Sequence, residues 1–220
     1  MSKSILVIGL GRFGVYLTKK FFELGDEVMA VDIDEEKIQE IMPYVVGAKI
    51  ANCRNPETLR SIGVGDFDLC FVCIGTNFQS SLEITCLLKE LGAKKVISKA
   101  NNEFHAKFLE RNGADKVVYP EKYSAGKLAI KYSSDKVIDY IELTSDIAIY
   151  EIPVPCSWSG KTIEAIGVRK KYNINILAIK KSGNQDIKVT PGPEYTFGEN
   201  DLAIVLGEKE DVDRVISIKK

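Results

Sequence analysis

Apolar residues follow two alternating rhythms along the first 120 positions. Short runs of β-branched and aliphatic residues at 4–9, 27–31, 46–51, 68–74, 95–99 and 116–119 read as strands. Between them the apolar positions return every three or four residues. Phe13, Leu17, Phe21 and Leu24 share one helical face, as do Ile84, Leu87, Leu88 and Leu91. Helical stretches at 102–111 and 121–133 flank the last run. Strand and helix in alternation form βαβ units, whose strands lie parallel because each crossover returns the chain to the same end of the sheet. Six such strands predict the doubly wound Rossmann order.

Past the apolar stretch Val137–Leu143 the rhythm changes. Strand-like runs at 148–152, 174–179, 186–190 and 202–206 are separated by Pro and Gly, and helical candidates are confined to 161–167 and 208–217. The expected fold is therefore α/β, a Rossmann-like doubly wound parallel sheet followed by a small C-terminal α+β domain. The domains are placed at 1–140 and 141–220. No Pro/Gly/Ser-rich linker marks the boundary, which predicts a docked hinge rather than a free tether.

Composition narrows the function. Of 220 residues, 30 are Lys or Arg and 31 Asp or Glu, leaving a formal charge of -1 and no global field to hold nucleic acid or an anionic membrane. The apolar runs fall far short of the roughly 20 residues that span a bilayer. The N-terminus enters a strand without a signal-peptide pattern, so the chain is expected in the cytoplasm, at a membrane only through a partner. Five cysteines, mostly within apolar segments, read as free thiols, and Cys70 and Cys73 on one strand point to opposite faces. A single histidine excludes a His/Cys zinc set.

Gly9-Leu10-Gly11-Arg12-Phe13-Gly14 follows the first strand and opens the first helix, the setting a dinucleotide fingerprint requires. Gly9 permits the tight turn, Gly11 lets a phosphate approach the main chain, and Gly14 allows helix and strand to pack closely. Asp32, ending the second strand, suits both ribose hydroxyls and would repel a 2′-phosphate, which disfavours NADP. The strand order turns Gly75-Thr76-Asn77 toward the same crevice. Asn52, Cys53, Lys99 and Glu121 stand at neighbouring strand ends, where loop capping and ligand contact explain them equally well. Tyr123 and Lys127 have the spacing of a short-chain dehydrogenase pair, but they lie beyond the sixth strand, and too little chain follows to close over a nicotinamide. His105 is expected on a helix surface. Binding without turnover is the economical reading; a small NAD-dependent oxidoreductase and a stand-alone nucleotide sensor are the competing ones.

The segments 8–14, 30–36, 50–53, 87–91 and 119–122, together with 161–172, 176–179 and 197–201, resemble the regulatory subunits of Ktr/Trk-type potassium uptake systems, the RCK architecture. The resemblance implies a Rossmann domain binding ATP, ADP or NAD(H), and homodimers assembled into a homo-octameric ring beneath a membrane potassium-translocating subunit. Carried over by position, Gly9, Gly11, Arg12, Phe13 and Gly14 would line the phosphates, and Asp32 and Ile33 the ribose. Asn52, Cys53, Asn77 and Lys99 would complete the pocket. Arg12 would meet a γ-phosphate, its own or a neighbouring subunit's. Glu121 would help hold a divalent cation at the dimer interface. In several members, chiefly Gram-positive, the C-terminal module binds cyclic di-AMP. Arg169 and Asn175 match positions associated with it, with Pro191 as a third, although 168–171 reads equally well as the solvated basic end of a helix.

Overall fold

The computed structural model describes residues 2–133, 137–181 and 187–218. It divides into two compact units, Met1–Lys122 and Tyr123–Lys220. The first alternates strand and helix: β1 (Ser4–Ile8), α1 (Arg12–Glu23), β2 (Glu27–Asp32), α2 (Glu35–Ile41), β3 (Gly47–Ile50), α3 (Pro56–Ile62), β4 (Leu69–Val72), α4 (Phe78–Glu90), β5 (Val96–Lys99), α5 (Glu103–Arg111) and β6 (Lys116–Val118). The six strands are parallel in the order β3-β2-β1-β4-β5-β6, the doubly wound order expected from the periodicity.

The alternation of β1 explains the layering. Leu6 and Ile8 pack with Leu59 of α3 and Ile84 and Leu88 of α4 on one face, while Ile5 and Val7 pack with Phe13, Leu17 and Phe21 of α1 on the other. Residues 5–8 are 0–2% exposed, and each such side chain contributes about 1.5–3 kcal/mol through removal from water. Cys70 and Cys73 fall into these two opposite clusters, as strand geometry requires. Asp34, Asn55, Asn77 and Asn102 accept main-chain N–H bonds at the starts of α2, α3, α4 and α5, each cap being worth about 1 kcal/mol.

The helix α6 (Pro120–Ser133) carries the chain from the first unit into the second. There follow β7 (Asp139–Glu142), β8 (Ile147–Pro153), α7 (Ile163–Ile166), α8 (Val168–Tyr172), β9 (Asn175–Lys180), β10 (Ile187–Val189), β11 (Leu202–Glu208) and α9 (Lys209–Ile216). Every strand pairing is antiparallel, in the order β10-β9-β11-β8-β7. Trp158, Phe197, Ile152, Ile174 and Val205 form the centre of its core. The helix predicted at 161–167 stops at Gly167, whose φ of 66° closes α7, and the chain restarts as α8. Asp186, the first residue of the strand predicted at 186–190, lies outside the described residues.

Candidate functional site

The three glycines after β1 meet three different physical demands. Gly9 has a φ of 96°, and a Cβ there would lie 2.9 Å from Ile74 Cγ1. At Gly14 a Cβ would sit 2.0 Å from the carbonyl oxygen of Gly9 and 3.3 Å from Cys73 Cβ, so only hydrogen fits between helix and strand. Around Gly11, by contrast, nothing lies within 4 Å of the Cβ position. Gly11 is the N-cap of α1, which has no side-chain cap and no acidic residue in its first turn. The first main-chain amides of α1 therefore have no carboxylate from their own turn, and the helix dipole there favours an anion. Arg12 is exposed at this end and Phe13 is half-buried beside it.

The carboxylate of Asp32 accepts the Leu10 N–H on Oδ2 at 2.5 Å and the Asp34 N–H on Oδ1 at 3.0 Å. It thus ties the glycine loop to β2. Ile33 is 74% exposed. Past β3, Asn52 is exposed and its Oδ1 accepts the Arg54 N–H at 3.0 Å. Cys53 turns inward among Leu6, Ile8 and Leu59, and burial pushes its thiol up to about 12. It is 3% exposed, so it offers a ligand almost no surface.

On the other side of β1, Asn77 caps α4 through the Ser80 N–H at 2.9 Å. The carbonyl of Gly75 accepts from Asn101 Nδ2. Lys99, ending β5 with a side chain only 13% exposed, pairs with Glu121 at 2.7 Å, and its ammonium lies 5.9 Å from the centre of the Phe13 ring. The Lys99 hydrogen bond holds the Glu121 carboxyl below the usual range, and the positive charge of Arg12 adds to the effect. The parallel sheet therefore puts the glycine loop, Asp32, Asn52, Gly75 and Lys99 at the carboxyl ends of β1 to β5, along one edge. Asn101, two residues beyond β5, was not foreseen; its place just after a strand end was the available signal.

His105 corrects the sequence reading. It is 1% exposed, with Nε2 2.6 Å from Ser81 Oγ and Nδ1 accepting the Asn101 N–H at 3.4 Å. The residue falls on the inner side of α5 because Leu109, four positions on, is also fully buried, a phase that one histidine cannot reveal alone.

Among the described residues no group of three or more His, Cys, Asp or Glu side chains gathers to hold a metal ion. Glu121, engaged by Lys99, does not make a cation site within one chain. In the second unit Arg169 Nε donates to Asn175 Oδ1 at 2.6 Å, which brings two of the three expected effector residues together. Pro191 lies beyond β10, in the segment leading to Tyr195. Tyr123 and Lys127 are exposed on α6, and Lys127 pairs with Asp139 at 3.5 Å. Among the described residues no helix is long and apolar enough to cross a membrane.

Residues 5–120 match the TrkA-N domain and residues 147–220 the TrkA-C domain. The chain is 40% identical over 213 residues to Ktr system potassium uptake protein A of Bacillus subtilis (strain 168), covering 97% of this chain and 95% of that protein. It is 38% identical to protein C of the same system and organism, covering 97% and 96%. Among solved structures, the GsuK channel bound to NAD superposes with a TM-score of 0.61 at 16% identity, over 99% of this chain and 39% of that one. The present chain thus spans about two fifths of the channel chain, and that likeness concerns the fold. Sequence similarity that runs through both units, in the same order and over nearly the full length of the relatives, makes this chain a member of the Ktr family of potassium uptake regulatory subunits.

Proposed function

We propose that the chain is the nucleotide-binding gating subunit of a Ktr-type potassium transporter, acting at the cytoplasmic face of the membrane through a potassium-translocating partner. The observation that carries this reading is the convergence of Arg12, Lys99 and Glu121 beside the uncapped start of α1. A cation at a helix N-terminus opposes the dipole unless an anion joins it, and a nucleotide phosphate is such an anion. Asp32 would take the ribose hydroxyls, Ile33 would flank the sugar, and Gly9, Gly11, Phe13 and Gly14 would enclose the phosphates. Asn52, Gly75 and Asn77 would border the remainder, with Cys53 contributing only its main chain because its side chain is buried in the core.

ATP and ADP differ by one phosphoryl group, so contacts of Arg12 made only with ATP would separate two conformations of a homo-octameric ring. The conductance of the partner would follow their populations, within the limit of the differential binding free energy. Glu121 and the same residue of a second copy, with phosphate oxygens, would share a divalent cation. NAD(H) is a further ligand of the same pocket, in keeping with the NAD-bound GsuK relative in fold. Arg169, Asn175 and Pro191 would receive cyclic di-AMP across a two-fold axis, each copy offering one guanidinium to one phosphate.

Calorimetry with ATP, ADP, NADH and cyclic di-AMP, with and without magnesium, combined with light scattering, tests this reading. Distinct ATP and ADP enthalpies in a ring-sized particle are the expected result. NADH binding alone, by a dimer, would overturn it in favour of a redox sensor or oxidoreductase.

A further inference from the structure

The strand order fixes the direction in which a nucleotide must lie. The glycine loop stands at the end of β1 and Asp32 at the end of β2, so phosphate and ribose on these groups point the base toward the next strand end, that of β3. Residues 52–54 occupy that place. Asn52 fixes the main chain there by accepting the Arg54 N–H at 3.0 Å. Arg54 then reaches Glu83 on the second turn of α4 as a fork, Nε donating to Oε2 and Nη2 donating to Oε1 at 3.2 Å. Gln79 Nε2 donates to the same Oε1 at 2.6 Å.

An exposed ion pair contributes little to folding, and the Arg54 and Glu83 side chains are 42% and 36% exposed. What the three residues achieve is geometric. One edge of the guanidinium, Nε and Nη2, is held by one carboxylate, which sets its plane. Among the described residues, no ring–cation contact involves Arg54. A partly exposed planar cation that meets no aromatic ring of its own chain is suited to stack on an aromatic base.

We propose that Arg54 positions the purine base of the bound nucleotide, its guanidinium held flat by Glu83 and Gln79. The assignment rests on the reading of this crevice as an adenine-nucleotide pocket. It is tested by titrating the full-length protein and its Arg54→Ala, Arg54→Lys and Glu83→Gln variants with ATP, ADP, CTP and inorganic tripolyphosphate. Arg54→Ala weakens ATP and ADP by the same factor, about five- to tenfold, narrows the preference for ATP over CTP, and leaves tripolyphosphate unchanged. Arg54→Lys behaves like Arg54→Ala, since it keeps the charge and loses the plane, and Glu83→Gln falls between them and the parent. Unchanged ATP affinity in Arg54→Ala, an equal loss of ATP and tripolyphosphate, or full rescue by lysine would overturn the role of Arg54 while leaving the pocket reading intact. A parent protein that binds no adenine nucleotide would overturn the pocket reading, and this assignment with it.

Discussion

The main-chain N–H of Leu10 donates to Oδ2 of Asp32 at 2.5 Å, so the acid that ends β2 also holds the glycine loop that follows β1. Its other oxygen takes the Asp34 N–H. Each oxygen keeps a second lone pair, enough for a ribose hydroxyl. Asp32→Asn sets an amide donor against one of the two main-chain donors. The variant is expected to lose about 1–3 kcal/mol of stability, the range for a disrupted hydrogen bond to a charged group, and to lose adenine nucleotides as well. Urea unfolding and calorimetry on the same samples check this; weakened binding at an unchanged unfolding midpoint would refute the double role.

Gly11 and Gly14 separate folding from binding. Gly14→Ala forces a methyl to 2.0 Å from the Gly9 carbonyl oxygen, whereas Gly11→Ala meets nothing within 4 Å. Gly14→Ala should lower the thermal midpoint through overpacking, which costs about 1–3 kcal/mol or more. Gly11→Ala should keep a near-parental midpoint and weaken ATP and ADP alike by standing where a phosphate approaches. Equal midpoints for the two variants would contradict this division.

Arg12 is exposed at the start of α1, and its charge is felt at Glu121. Arg12→Ala should narrow the ratio of ATP to ADP affinity without a change in unfolding midpoint. Competition titrations read the ratio directly, and a variant that still discriminates as the parent does would remove Arg12 from the recognition of the γ-phosphate.

His105 gives the protein a pH-dependent stability of known sign. The hydrogen bonds suit a neutral ring with its proton on Nε2: Nδ1 accepts from Asn101, and Ser81 Oγ, beside Nε2, donates onward to the Phe78 carbonyl. Burial lowers the pKa from its ordinary 6.5. Below about 6.5 the unfolded chain takes up a proton that the folded chain refuses, so stability is complete above that pH and declines as pH falls toward the folded value. The slope cannot exceed about 1.4 kcal/mol per pH unit for one proton. Because the chain has a single histidine, His105→Gln should flatten urea midpoints between pH 7 and 5.5. An unchanged pH profile would show that another group is responsible.

The sequence by itself determined the parallel sheet, because β-branched runs separated by helical periodicity can bury both faces of their strands only in βαβ crossovers. It also determined the glycine loop with Asp32, since each residue there answers a local demand of turn, approach or charge. Other features depended on neighbours far along the chain. The burial of His105 depends on Ser81 and Phe78 of another helix. The inward turn of Cys53 and the fork from Arg54 to Glu83 both arise where the chain after β3 meets α4. Periodicity reports which face of an element is apolar. Which polar groups meet across two elements is set by strand order and helix phase, and only the tertiary structure decides those.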